Sequence, residues 1–180
     1  MYVIELYLAE PEAGLIRQVW QELADIGLCG PLDNHSRPHI SLAAFQEVDR
    51  AAMAAQLDRF FKEHLLRPVT FDMLGFFPVT RVLHATPTVT PWLLELHAAF
   101  HQAVAGIVKG PSRYYLPGRW VPHCTLAFDI PEEQVAEAFI RAARNWTGMT
   151  GHFDEAGLII PSATAPTQYL YVQPVQSLAQ

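Results

Sequence analysis

A six-residue pattern, Pro-His-x-[Ser/Thr]-Leu-Ala, is spelled twice in this chain, as "PHISLA" (38–43) and "PHCTLA" (122–127). Its histidines, His39 and His123, lie 84 positions apart. A second echo follows each copy: "FDMLG" (71–75) and "FDEAG" (153–157), with Phe71 to Phe153 and Gly75 to Gly157 both 82 apart. The two offsets agree to within a short loop, so both echoes belong to one repeat. The period is too long and the copies too few for a solenoid. Two similar lobes related by a pseudo-twofold axis satisfy the pattern, and such an axis puts equivalent residues on opposite walls of one cleft.

Local signals fill in each lobe. "YVIELYLA" (2–9) alternates as a strand, and Pro11 opens a helix to about Leu28. The His39 word reads as the second strand. Asp49 caps a helix over 50–65, two strands (69–77 and 81–89) meet at a turn at Pro78, and Pro91 starts a helix that ends before Gly110. The loop 109–120 leads to the His123 strand, Pro131 opens a helix to near Trp146, and a hairpin (152–160 and 168–175) closes the chain. The order strand, helix, His strand, helix, strand thus occurs twice. The expected fold is α+β: a single bilobal duplicated domain, halves approximately 1–78 and 79–180. Two antiparallel sheets flanked by helices would surround a central cleft with pseudo-twofold symmetry.

Composition narrows the function classes. With 51% hydrophobic and 17% charged residues the chain is a folded globule. No apolar run approaches the roughly 18 residues of a membrane span. The start lacks a basic region and carries Glu5 within its apolar run, unlike a secretory signal. Cys29 and Cys124 have no CxxC spacing, so no disulfide framework or zinc knuckle is expected, and the reducing cytoplasm suits the chain. A net charge of −6 argues against a general grip on long nucleic acid but leaves room for a small anion in a local cleft. Nothing in the sequence calls for an obligate protein partner.

Strand alternation turns the repeated word into chemistry. His39 and Ser41 point one way, about 7 Å apart, with Ile40 and Leu42 pointing the other. His123 and Thr125 stand against Cys124 and Leu126 in the same way. Each lobe therefore presents an imidazole and a hydroxyl to the cleft. Imidazole gives or takes a proton near neutral pH, and a hydroxyl donates to a phosphate oxygen without adding charge. Two imidazoles on opposite sides of a phosphorus make an in-line acid–base pair that needs neither metal nor covalent intermediate.

These paired H-x-[T/S]-hydrophobic motifs, one per lobe, resemble the 2H phosphoesterase superfamily, and within it the bacterial 2′-5′ RNA ligase-like proteins, also described as RNA 2′,3′-cyclic phosphodiesterases. The resemblance runs over nearly the whole chain and includes the segment "FFPVTRVLHA" (76–85). Ser41 stands where the family more often has Thr. The resemblance implies that His39 and His123 are catalytic, that Ser41 and Thr125 bind phosphate, and that no cofactor is used. It implies an RNA or nucleotide end with a cyclic phosphate as partner, opened by water to a 2′-phosphate, with a reverse, ligation-like step in some relatives. By the same resemblance His123 is the base and His39 the acid. An ADP-ribose cyclic phosphate, a 2′-5′-linked oligonucleotide, or a non-catalytic role in binding RNA ends stay open as alternatives.

Other residues carry weaker signals. Between Glu95 and Asp129 there is no acidic residue, while Lys109, Arg113 and Arg119 interleave with Tyr114, Tyr115 and Trp120. Cations beside aromatics suit a single-stranded RNA end; equally, the aromatics could plug the gap between lobes. Arg37 and Arg81 are candidates for the same rim. His84 lies on a strand and faces either cleft or surface. His97 and His101 have the i, i+4 spacing of a metal pair without the HExxH pattern, and packing or solvent exposure explains them better. Alternation assigns Cys124 to the core, and the Phe-Asp-x-x-Gly echo reads as strand packing.

Overall fold

Helix and strand boundaries follow from the punctuation of the chain. In the computed structural model, which describes residues 1–162 and 164–178, β1 is Tyr2–Leu8 and α1 is Glu12–Ala24, with Ala13, Ile16, Trp20 and Leu23 buried at helical spacing. The helix stops short of the expected Leu28 because Gly27 turns to φ 84° and the Leu28 N–H closes back on the Leu23 carbonyl. A single turn, α2 (Gly30–Asp33), then leads to β2 (His39–Val48). Asp49 accepts from the Ala52 N–H at 3.0 Å and starts α3 (Arg50–Glu63). β3 (Val69–Phe77) and β4 (Val82–Pro87) form a hairpin, and Thr90 caps α4 (Pro91–Val104).

The second half departs from expectation in two places. The segment read as loop contains β5 (Val108–Pro111), which pairs with the end of β2; its Gly and Pro hide an edge strand whose partner is distant in sequence. After β6 (Cys124–Ala127), a 3₁₀ turn and α5 (Val135–Ala143), which ends short of the expected Trp146, the chain forms β7 (Met149–Gly151), a strand that had not been expected. Gly148, at φ 80°, separates the two. β8 (Phe153–Ile160) and β9 (Gln168–Pro174) complete the fold.

Two antiparallel sheets result, β5-β2-β1-β8-β9 and β6-β4-β3-β7. The repeat pairs β1 with β4, α1 with α4, β2 with β6, α3 with α5, and β3 with β8. In each sheet the order is the same under that exchange: β2-β1-β8 in one, β6-β4-β3 in the other. The lobes are therefore not the halves 1–78 and 79–180, which trade their final strands; residues 163, 179 and 180 of the second half lie outside the described residues. The cause is local. Only four residues (78–81) join β3 to β4, and a connection that short makes an antiparallel hairpin, drawing the last strand of the first repeat onto the first strand of the second.

The helices trade places as well. α1 packs on β6, β7 and α5, whereas α4 packs on β2 and α3. One apolar core runs through both sheets, from Ile4, Leu6 and Leu42 to Leu83, Cys124 and Leu126. The sheets approach each other along β2 and β6, the strands of the repeated word.

Candidate active site

Proline explains why the repeated word begins as it does. A residue before proline is held extended, and in both copies its carbonyl meets the histidine ring two residues on. His39 Nδ1 lies 2.6 Å from the Arg37 oxygen, and His123 Nδ1 lies 2.8 Å from the Val121 oxygen. A carbonyl only accepts, so Nδ1 carries the proton in each ring and Nε2 is left to exchange another. Ile40, Leu42, Cys124 and Leu126 are fully buried on the opposite side of their strands.

His39, Ser41, His123 and Thr125 all line one cavity of about 210 Å³. Each hydroxyl-bearing residue has its backbone carbonyl held by an indole: Trp20 Nε1 donates to Thr125 O at 3.0 Å, and Trp120 Nε1 donates to Ser41 O at 3.0 Å. Trp20 on α1 thus fixes the strand of the other repeat, a contact that depends on the exchanged helices.

The two walls differ at the strand beside each word. Glu5 pairs with Ser41 across β1 and β2, and His84 pairs with Thr125 across β4 and β6. Glu5 is buried and its Oε1 lies 3.1 Å from His39 Nε2. Burial raises the Glu5 carboxyl above its ordinary value, with the His39 charge acting against it. His84 is buried behind His123, ring centroids 5.2 Å apart, with the Phe77 ring against both. Its Nδ1 hydrogen-bonds with Thr86 Oγ1 at 2.9 Å. Burial, aided by His123, drives His84 down to about 4, so it is neutral at physiological pH. Burial also lowers His123, with the Val121 carbonyl opposing.

The Phe-Asp-x-x-Gly echo has a steric purpose beyond strand packing. Gly75 lies opposite His84, and a Cβ there would stand 2.5 Å from its ring; a Cβ at Gly157 would stand 2.7 Å from the Tyr7 hydroxyl. Gly75→Ala should cost about 1–3 kcal/mol, the usual range for overpacking, because the His84 ring is hemmed in by Phe77 and His123. Denaturant titration measures it; a variant as stable as wild type would mean the ring has room to turn away.

The aromatic loop divides by face. Trp120 does not offer its ring for stacking on a base: it is 7% exposed and lies flat against His97, centroids 4.1 Å apart at 4°. The indole is a plug between loop and core, because its N–H is needed at the Ser41 carbonyl. Tyr115 is half-buried and lines the cavity of His39 and His123, its hydroxyl beside Ser41. Arg113, Tyr114 and Arg119 turn outward and line a separate pocket of about 400 Å³, with Arg113 donating to the Tyr114 hydroxyl at 2.8 Å.

The remaining candidates lie elsewhere. Arg37 stacks on the Tyr7 ring and is ion-paired with Glu155, and Arg81 is exposed on the β3–β4 turn. His97 and His101 face each other 4.7 Å apart. Among the described residues no group of three or more His, Cys, Asp or Glu could hold a metal ion. Cys124 is buried in the core, its thiol pushed up to about 12 by burial. Sequence reasoning missed Glu5 and Trp20 as parts of the site. The signal for Glu5 was present: a lone carboxylate inside an otherwise apolar strand, on the same face as Val3 and Tyr7.

The family model described as the 2′-5′ RNA ligase superfamily matches residues 11–164. Among solved structures, E. coli LigT in its apo form is 18% identical, with 97% of this chain and 96% of that chain covered and a TM-score of 0.55. E. coli LigT complexed with 3′-AMP is 19% identical over 97% of both chains, TM-score 0.58, and a structure described as a phosphoesterase is 17% identical over 97% of both, TM-score 0.56. These likenesses show a shared fold. No curated protein matches the sequence. No helix among the described residues is long and apolar enough to cross a membrane.

Proposed function

The chain belongs to the 2′-5′ RNA ligase superfamily, enzymes acting on phosphodiester bonds, and from that premise we propose that it hydrolyses a 2′,3′-cyclic phosphate at an RNA or nucleotide end. The observation that carries the reading is the matched pair of imidazoles, each pinned at Nδ1 by the carbonyl two residues back, on one cavity with Ser41 and Thr125. In the reaction, His123 Nε2 takes a proton from water as the water oxygen bonds to phosphorus. The bond from phosphorus to the 3′ oxygen breaks, and His39 gives that oxygen its proton, leaving a 2′-phosphate. Ser41 and Thr125 hydroxyls donate to the non-bridging oxygens as negative charge gathers on them. Proton exchange with solvent resets the two rings, and with a 5′-hydroxyl in place of water the same steps would open the ring to a 2′-5′ phosphodiester, the 3′ oxygen again leaving with the proton from His39.

Burial favours the neutral form of His123, which suits a base. E. coli LigT, which shares the fold, has been solved with 3′-AMP, a nucleotide with its phosphate on the ribose. The outward pocket of Arg113, Tyr114 and Arg119 favours a chain of nucleotides over a mononucleotide, since it could take a second phosphate and base. With both cysteines unpaired, the cytoplasm suits the enzyme.

Purified protein stripped with EDTA should open nucleoside 2′,3′-cyclic phosphates at an undiminished rate, giving only 2′-monophosphates by phosphorus NMR. The two imidazoles do what a metal would otherwise do in activating water and stabilising the leaving oxygen. Turnover lost on stripping and restored by zinc or manganese would overturn the two-histidine mechanism.

A further inference from the structure

A pseudo-symmetric fold does not by itself distinguish the acid side of the site from the base side. At one pair of equivalent positions the walls carry different titratable groups: beside Ser41 stands Glu5, and beside Thr125 stands His84. We infer that Glu5 and His39 share a single proton, so that the buried carboxyl holds ready the proton that His39 delivers to the leaving oxygen. Glu5 is then a positioning residue that acts through His39. The inference rests on the hydrolytic reading of the site.

Geometry supplies the argument. His39 Nδ1 already donates to the Arg37 carbonyl, so Nε2 is the only ring atom left to titrate. Glu5 Oε1 faces that atom at 3.1 Å. With no proton between them, a nitrogen lone pair and a carboxylate oxygen would repel; with two, two N–H and O–H donors would oppose each other. One proton satisfies both atoms, as O–H donating to the ring or as N–H donating to the carboxylate. Such a pair titrates as a unit.

The surroundings leave Glu5 no other partner of opposite charge at that distance. Arg37 is engaged by Glu155 and lies over the Tyr7 ring. β8 places Gly157, without a side chain, opposite Glu5. The remaining titratable groups that feel its charge are neutral phenols and a thiol: Tyr7, Tyr169 on β9, Tyr115 on the loop and Cys124 on β6. Glu5 is also the only carboxylate among the described residues lining the cavity, and a proton shared with His39 keeps its charge from repelling the incoming phosphate. On the far wall, His84 is neutral and brings no charge to His123.

Glu5→Gln keeps the shape and removes the shared proton. With a 2′,3′-cyclic nucleotide as substrate, kcat should fall on the order of 10² with little change in KM. The alkaline limb of the kcat/KM profile should move to lower pH, since an adjacent opposite charge is lost, while the acidic limb stays. A variant profile of wild-type shape, whatever its height, would overturn the inference. A second measurement uses the wild type alone: carbon NMR of the Glu5 carboxyl and nitrogen NMR of the His39 ring should report the same transitions. Independent titrations of the two groups would overturn it as well. A wild type inactive on every cyclic phosphate would count against the hydrolytic reading, with the NMR titration still deciding whether the pair exists.

Discussion

His39→Ala and His123→Ala should each lower kcat by about 10²–10⁴, the usual worth of a positioned general acid or base, in variants that stay folded. The double variant loses far less than the product of the two single losses, because acid and base serve one displacement. Leaving-group chemistry separates them: a substrate whose leaving oxygen needs no proton rescues His39→Ala and leaves His123→Ala slow. Rescue of the second variant alone would reverse the roles. The wild-type profile of kcat/KM against pH should be bell-shaped. Because burial lowers His123, the acidic limb, where the base acquires a proton, falls below the ordinary histidine value of about 6.5. Near-wild-type turnover in either single variant would remove the two-histidine mechanism altogether.

Trp120→Ala destabilises the protein by about 3–5 kcal/mol, the range for emptying a large aromatic site in a core. The ring is buried, stacked on His97, and its N–H holds the Ser41 carbonyl. Trp120→Phe keeps most of the packing and loses the hydrogen bond, so it falls between the two in stability. Urea titration of the three proteins gives the ordering. A Trp120→Ala protein of wild-type stability with raised KM would return the indole to the substrate-binding role that its sequence neighbourhood suggests.

That contrast shows what a linear reading could reach. The repeated word and the Phe-Asp-x-x-Gly echo were legible because strand alternation is local: residues 39 and 41 share a face whatever the tertiary fold. The cap at Asp49 was legible for the same reason. Trp120 was not, since cations beside aromatics read alike whether the ring points to solvent or to His97. β5 and β7 were missed because short edge strands gain their order from partners far away in sequence. Glu5 could have been noticed as a charge in an apolar strand, but its meaning came only with His39 across the ladder. The exchange of β3 and β8 between sheets lay beyond pattern reading, although the four-residue turn that enforces it was in plain view.

That exchange has a consequence for how the molecule is made. Of the nine strands described, β1 is made first yet sits third in a five-stranded sheet, between β2 and β8. Its second neighbour is synthesised roughly 150 residues later. Until then the nascent chain carries one apolar strand edge open, and α1 with Trp20 has no partner until the Thr125 carbonyl is made. Neither half can finish on its own, so vectorial synthesis gains little here. The five-stranded sheet is complete only once β8 and β9 have been made, whereas β6, β4 and β3 of the other sheet are all synthesised before them.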